Sequence, residues 1–115
     1  MRKNKSKAEN YLDKKPLRRS GLNWTVENDI VTLEIENKGV MNRIFQKLLK
    51  KPKISYIHLD EMGSFIWPVL DGEKTVFDLG LSVKENFGEK AEPLYDRLCQ
   101  YIRILESYNF IEFNN

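Results

Sequence analysis

The chain has 115 residues, with 19 Lys and Arg against 17 Asp and Glu, 41% apolar and 31% charged positions; that is room for one folded domain plus extensions, with no stretch apolar enough to span a bilayer. The single cysteine, Cys99, and the single histidine, His58, exclude an internal disulfide and leave no partners for a zinc or haem ligand set or for a Cys-His nucleophile pair. The basic N-terminus lacks the apolar core of a signal peptide, so a cytoplasmic location is expected, and no cofactor is.

Charge is unevenly spread along the chain. Residues 1–19 hold eight Lys or Arg against Glu9 and Asp13, residues 20–53 hold six against four acidic residues, and residues 54–115 hold five against eleven. The first twenty residues are polar and Lys-rich, with Tyr11, Leu12 and Leu17 as their only large apolar side chains. They read as a basic, largely flexible arm (1–20) ahead of a domain over 21–115, in which the stretch around Tyr11, Leu12, Pro16 and Leu17 can dock as an extended strap.

Trp24–Val26 and Ile30–Ile35 alternate with the strand period, and Asn28-Asp29 between them is turn chemistry, which predicts a hairpin. Met41, Ile44, Phe45, Leu48 and Leu49 recur at helical spacing and stop at Pro52, predicting a short basic helix within residues 38–53. Ile54–Leu59 is β-branched and short, a third strand, with Asp60 placed to cap the helix after it. Met62, Phe65, Ile66, Val69 and Leu70 mark one face of that helix, which Asp71-Gly72 ends and in which Pro68 removes an amide and should kink or tighten the last turn.

Thr75 with Asp78 is a capping pair for a second helix along Val76, Leu79, Val83 and Phe87, closed by Gly88. Glu92 and Pro93 suit the first turn of a third helix whose buried face is expected to be Leu94, Leu98, Tyr101, Ile102, Leu105 and Tyr108, with Asn109 at its C-terminal cap and a short extended tail from Phe110 to Phe113. The six glycines are scattered as caps and turns, so there is no phosphate loop.

The run from Ile57 to Val76, which contains Leu59-Asp60, Ile66-Trp67, Leu70-Asp71-Gly72 and Thr75-Val76, resembles the signature of the PqqD family, and the closing Asn109-Phe110-Ile111-Glu112 is similar to that family's terminal pattern. The resemblance spans about residues 22–113. It implies an α+β, winged-helix-like fold, a three-stranded antiparallel sheet packed on a three-helix bundle, here with an extra short helix between strands two and three. It also implies a non-catalytic chaperone that binds the leader of a ribosomally made precursor peptide and presents it to a modifying enzyme, often of the radical S-adenosylmethionine type. The Lys-rich arm and the 38–53 insertion depart from the family pattern, and their roles do not carry over.

If the resemblance holds, the leader adds as a strand to the third strand's edge and drops side chains into the groove beside helix three. By position the peptide-binding candidates are Ser55, Tyr56, Ile57 and His58 on the strand, with Arg97, Tyr101 and Ile102 on the helix. Tyr56 and His58 share one strand face, Ile57 and Leu59 the other, and the sequence leaves open which is outward. Proline at Ile57 probes the edge if that amide faces the groove. Trp67, Ile66 and Cys99 read as packing residues.

The competing class is a winged-helix DNA-binding or regulatory protein, since fold alone does not set function. It is disfavoured because Asp96, Arg97, Arg103 and Glu106 cancel on the third helix, where a nucleic-acid reader needs net positive charge. The carboxylates on the helices have no nucleophile-base pair beside them, so no catalytic residue is assigned and no enzyme is expected.

Overall fold

The computed structural model describes residues 11–36 and 54–114. The helix expected within 38–53 and the first ten residues of the arm lie outside the described residues. The order found is β1 (Pro16–Arg18), β2 (Asn23–Glu27), β3 (Ile30–Glu36), β4 (Ile54–His58), α1 (Glu61–Ile66), α2 (Val76–Phe87), α3 (Leu94–Ser107) and β5 (Ile111–Phe113). This is an α+β fold with two antiparallel sheets, β2-β3-β4 and β1-β5.

The hairpin forms where expected. Asn28 and Asp29 both take positive φ, 53° and 65°, the conformation a two-residue loop needs to match the twist of its strands, and one that short Asx side chains tolerate. Val31 and Leu33 of β3 are fully buried against the helices. Trp24 lies opposite Leu33 and meets the buried Trp67 edge-to-face at 6.3 Å.

Each helix starts and stops for a local reason. The Asp60 carboxylate accepts from the Gly63 amide at 2.8 Å to cap α1, and Pro68 tightens the end of α1 into a 3-10 turn over Trp67–Val69, because proline has no amide to continue the ladder. Thr75 and Asp78 form a reciprocal capping box on α2, worth about 1 kcal/mol. Asn109 ends α3 with φ of 64°.

The helices pack on a core that includes Ile66, Trp67, Leu70, Val76, Leu79, Val83, Leu98 and Ile102, each at most 1% exposed. Burying a large aliphatic side chain of this kind stabilises by about 1.5–3 kcal/mol. Tyr108, expected on the buried face of α3, is instead 65% exposed. It sits at the C-cap, past the last turn that the core covers, and stacks on Phe110.

The strap docks. β1 pairs with β5 through Pro16↔Phe113, Leu17↔Glu112 and Arg18↔Ile111, and a bridge from Leu17 to Asp71 closes its other side. Arg18 sends one guanidinium nitrogen, Nη1, to the carbonyls of Trp67, Pro68 and Leu70 at 3.1, 2.7 and 3.3 Å, at a helix end where carbonyls run short of intrahelical donors; the Trp67 oxygen also accepts from the Leu70 amide. Its guanidinium also lies over the Trp24 ring, 5.4 Å from the centroid. Tyr11 packs against Phe113 and under Arg103. Residues from Tyr11 onward, grouped by composition with the arm, are therefore held against the domain by pairing that composition does not encode.

Candidate functional site

β4 is an edge: in the order β2-β3-β4 it pairs with β3 and with no other strand among the described residues. Which of its backbone groups point outward depends on the register. The Leu59 amide donates to the Val31 carbonyl at 2.9 Å. The buried Ser64 hydroxyl completes that position, accepting from the Val31 amide at 2.8 Å and donating to the Leu59 carbonyl at 3.2 Å.

Hydrogen-bonded and non-hydrogen-bonded pairs alternate along an antiparallel ladder. Counting from Val31 and Leu59, Leu33↔Ile57 is a hydrogen-bonded pair, and Thr32↔His58 and Glu34↔Tyr56 are not. The backbone N–H and C=O groups of Tyr56 and His58 therefore point out of the sheet, and those of Ile57 point inward to β3. Close side-chain approach is expected of a non-hydrogen-bonded pair, and Thr32 Oγ1 lies 2.7 Å from His58 Nδ1. Proline at Ile57 would thus break the sheet, and Tyr56 is the position that probes the edge.

Side chains sort the other way. Ile57 shares a face with Leu33, the face turned toward the helices, yet Leu33 is fully buried and Ile57 is 38% exposed. Among the described residues the helical layer covers β3 more fully than β4, so Ile57 is left part-exposed on the inner side of the edge. Tyr56, 60% exposed, lies with His58 on the opposite, outer face. Ser55 is half-buried on the Ile57 side.

The helix-three candidates separate. Arg97 donates to the Lys90 carbonyl at 3.0 Å and lines a cleft of about 360 Å³ with Asp60, Glu61, Met62, Phe87 and Lys90, just beyond the end of β4. The Tyr101 hydroxyl donates to the Gly63 carbonyl at 3.0 Å, and a Cβ on Gly63 would come within 2.9 Å of its ring. Only glycine lets α3 sit this close to the first turn of α1. Burial, and secondarily the Asp60 charge, pushes the Tyr101 phenol far above its usual pKa, so it remains a neutral donor.

Ile102 is corrected: it is 0% exposed and belongs to the core, because it is one residue, about a quarter-turn, away from the Arg97–Tyr101 face. The side chains that continue that face are Ile104 and Tyr108, at i+3 and i+7 from Tyr101, and both are exposed. Sequence reasoning passed over Ile104, although the spacing itself points to it.

A second cleft, of about 570 Å³, lies between the strap and the other face of α3 and includes Tyr11, Tyr95, Cys99 and Arg103. Burial pushes the Cys99 thiol up, with Arg103 opposing, which holds it as a thiol rather than a nucleophilic thiolate. No group of three or more His, Cys, Asp or Glu among the described residues could hold a metal ion. Among the same residues no helix is long and apolar enough to cross a membrane.

Compared with known proteins, the chain matches the family model described as coenzyme PQQ synthesis protein D (PqqD) over residues 45–111. The match begins ahead of β4 and runs through α1, α2 and α3 to the first residue of β5, leaving the β2-β3 hairpin and the strap outside it. No curated protein and no solved structure is significantly similar to it.

Proposed function

The chain belongs to the PqqD family, whose members are accessory binding proteins in peptide modification rather than catalysts, and from that premise we propose that it captures the leader of a ribosomally synthesised precursor peptide by strand addition at β4. It then presents the peptide to a modifying enzyme, of radical S-adenosylmethionine type in the family pattern, and performs no chemistry itself. The working arrangement is winged-helix-like, and the site comprises the edge at Tyr56 and His58, the groove beside Ile57, and Arg97 and Tyr101 on α3. Ser55 belongs to the groove side of the edge. The complex forms in the cytoplasm.

The observation that carries this reading is the pair Leu33 and Ile57, directly opposed in the sheet yet 0% and 38% exposed. An edge strand with outward amides and an uncovered apolar residue on its inner face offers an extended peptide both halves of what it needs, ladder hydrogen bonds for affinity and a side-chain pocket for choice. A DNA-binding role finds less support, since the basic and acidic residues along α3 offset each other and an edge strand has no part in it.

The test is a titration of the isotope-labelled full chain with synthetic leaders of precursor peptides encoded beside its gene. The Tyr56 and His58 amides are expected to shift, and Tyr56→Pro, which deletes an outward amide and spares the ladder, is expected to weaken binding at least about tenfold while remaining folded. Undiminished binding by a folded Tyr56→Pro chain, or tight binding of a DNA duplex at physiological salt with none of the peptides bound, would overturn the proposal.

A further inference from the structure

A strand added to β4 presents alternate side chains to two different surroundings. On the groove side it meets Ile57. On the outer side it lies against Tyr56, which is 60% exposed and pairs directly with Glu34 of β3. That outer face of the three-stranded sheet carries Glu27, Glu34 and Glu36 and, among the described residues, no Lys or Arg. Side chains of Tyr56 and Glu34 stand close together because theirs is a non-hydrogen-bonded pair.

Resting on the reading of β4 as the peptide site, we propose that the peptide it takes up has an apolar residue facing Ile57 and, next to it in sequence, a Lys or Arg lying over the Tyr56 ring and against Glu34. Strands are spaced about 4.8 Å apart, so the added strand's outward side chain stands beside Tyr56 and two spacings from the Glu34 backbone. A long cationic side chain spans that distance, its stem covering the ring and its head reaching the carboxylate. An Asp or Glu there would instead meet an aromatic face and a like charge. The edge itself supplies the affinity, and Tyr56 with Glu34 selects the charge.

Three synthetic peptides of strand length test this, identical except for Lys, Gln or Glu at one central outward position, with Val and Ile facing the groove and Thr at the other outward positions. Binding to the full chain is read by fluorescence anisotropy and by the Tyr56 and His58 amide shifts. The Lys peptide is expected to bind about tenfold more tightly than the Glu peptide, and the gap should narrow as salt rises. Glu34→Gln should shrink the gap, and Glu34→Lys should reverse it; Glu34→Gln, isosteric with the native residue, guards against a folding defect.

If all three peptides shift the Tyr56 amide with equal affinity, or the preference is undiminished in Glu34→Gln, the charge selection is wrong while strand addition stands. If no peptide shifts the edge amides, both readings fall. If those amides instead respond to protein concentration alone, a second copy occupies the edge, and the proposed peptide is wrong.

Discussion

β1 and β4 are both short strands, yet the chain treats their two sides differently. β1 is enclosed: β5 pairs with one side, the 70–72 segment bonds the other through Arg18 N to Leu70 O and Gly72 N to Pro16 O, and Arg18 fastens it to the end of α1. β4 has β3 on one side and, on the other, outward-pointing groups at Tyr56 and His58 with no strand across from them among the described residues. A three-residue strand held on both sides serves the fold, whereas β4, flanked on one side only among the described residues, is the strand proposed for binding. Backbone polar groups demand partners, and no strand among the described residues supplies them on the outer side of β4, which is why we propose that edge for a partner of extended shape.

Three substitutions sharpen this contrast. The largest effect is expected from Ile57→Pro, which removes an amide pointing into the sheet and should destabilise the domain by about 3 kcal/mol or more in urea unfolding. Wild-type stability for that variant would mean that the inward and outward rows of β4 have been assigned the wrong way round. Arg18→Ala comes next, losing the charged donor to three carbonyls and its contact with Trp24, at about 2 kcal/mol. If β1 serves only the fold, the fraction of that variant still folded should bind peptide with wild-type affinity.

The smallest effect lies at alkaline pH. Burial raises the Tyr11 phenol from 10.0 to about 12, with Arg103 partly opposing. A pKa raised by folding favours the protonated form, so this contribution is complete below pH 10 and is lost as pH rises toward 12. The strap should therefore loosen in that window, and Tyr11→Phe should flatten the part of the unfolding profile that Tyr11 causes.

Local chemistry made much of the fold legible. Thr75 with Asp78, Asp60 ahead of α1, Pro68 inside its end, and Asn28-Asp29 between alternating strands each act within a few residues, so the chain segment alone announces them. The pairing of Pro16–Arg18 with Ile111–Phe113 has no such signal, because three-residue strands carry no readable period and their partners lie at opposite ends of the chain. The site divides in the same way. That Ile54–His58 is a strand was readable from its β-branched residues, but the direction of its amides depends on the Leu59–Val31 bond, and a one-residue change of register inverts every assignment. Ile102 was misplaced for a related reason: at 0% exposure beside the partly exposed Tyr101, it shows that neighbours on a helix can belong to opposite sides of a boundary.

The open side of β4 also bears on how copies of the protein tolerate one another. An exposed strand with apolar side chains is a template for its own duplicates, and crowded molecules pair edge to edge unless something prevents it. Immediately ahead of β4 the sequence reads Lys50, Lys51, Pro52, Lys53, a run of like charge interrupted by a residue that cannot donate to a ladder. As a sequence, that is the composition that guards aggregation-prone strands elsewhere.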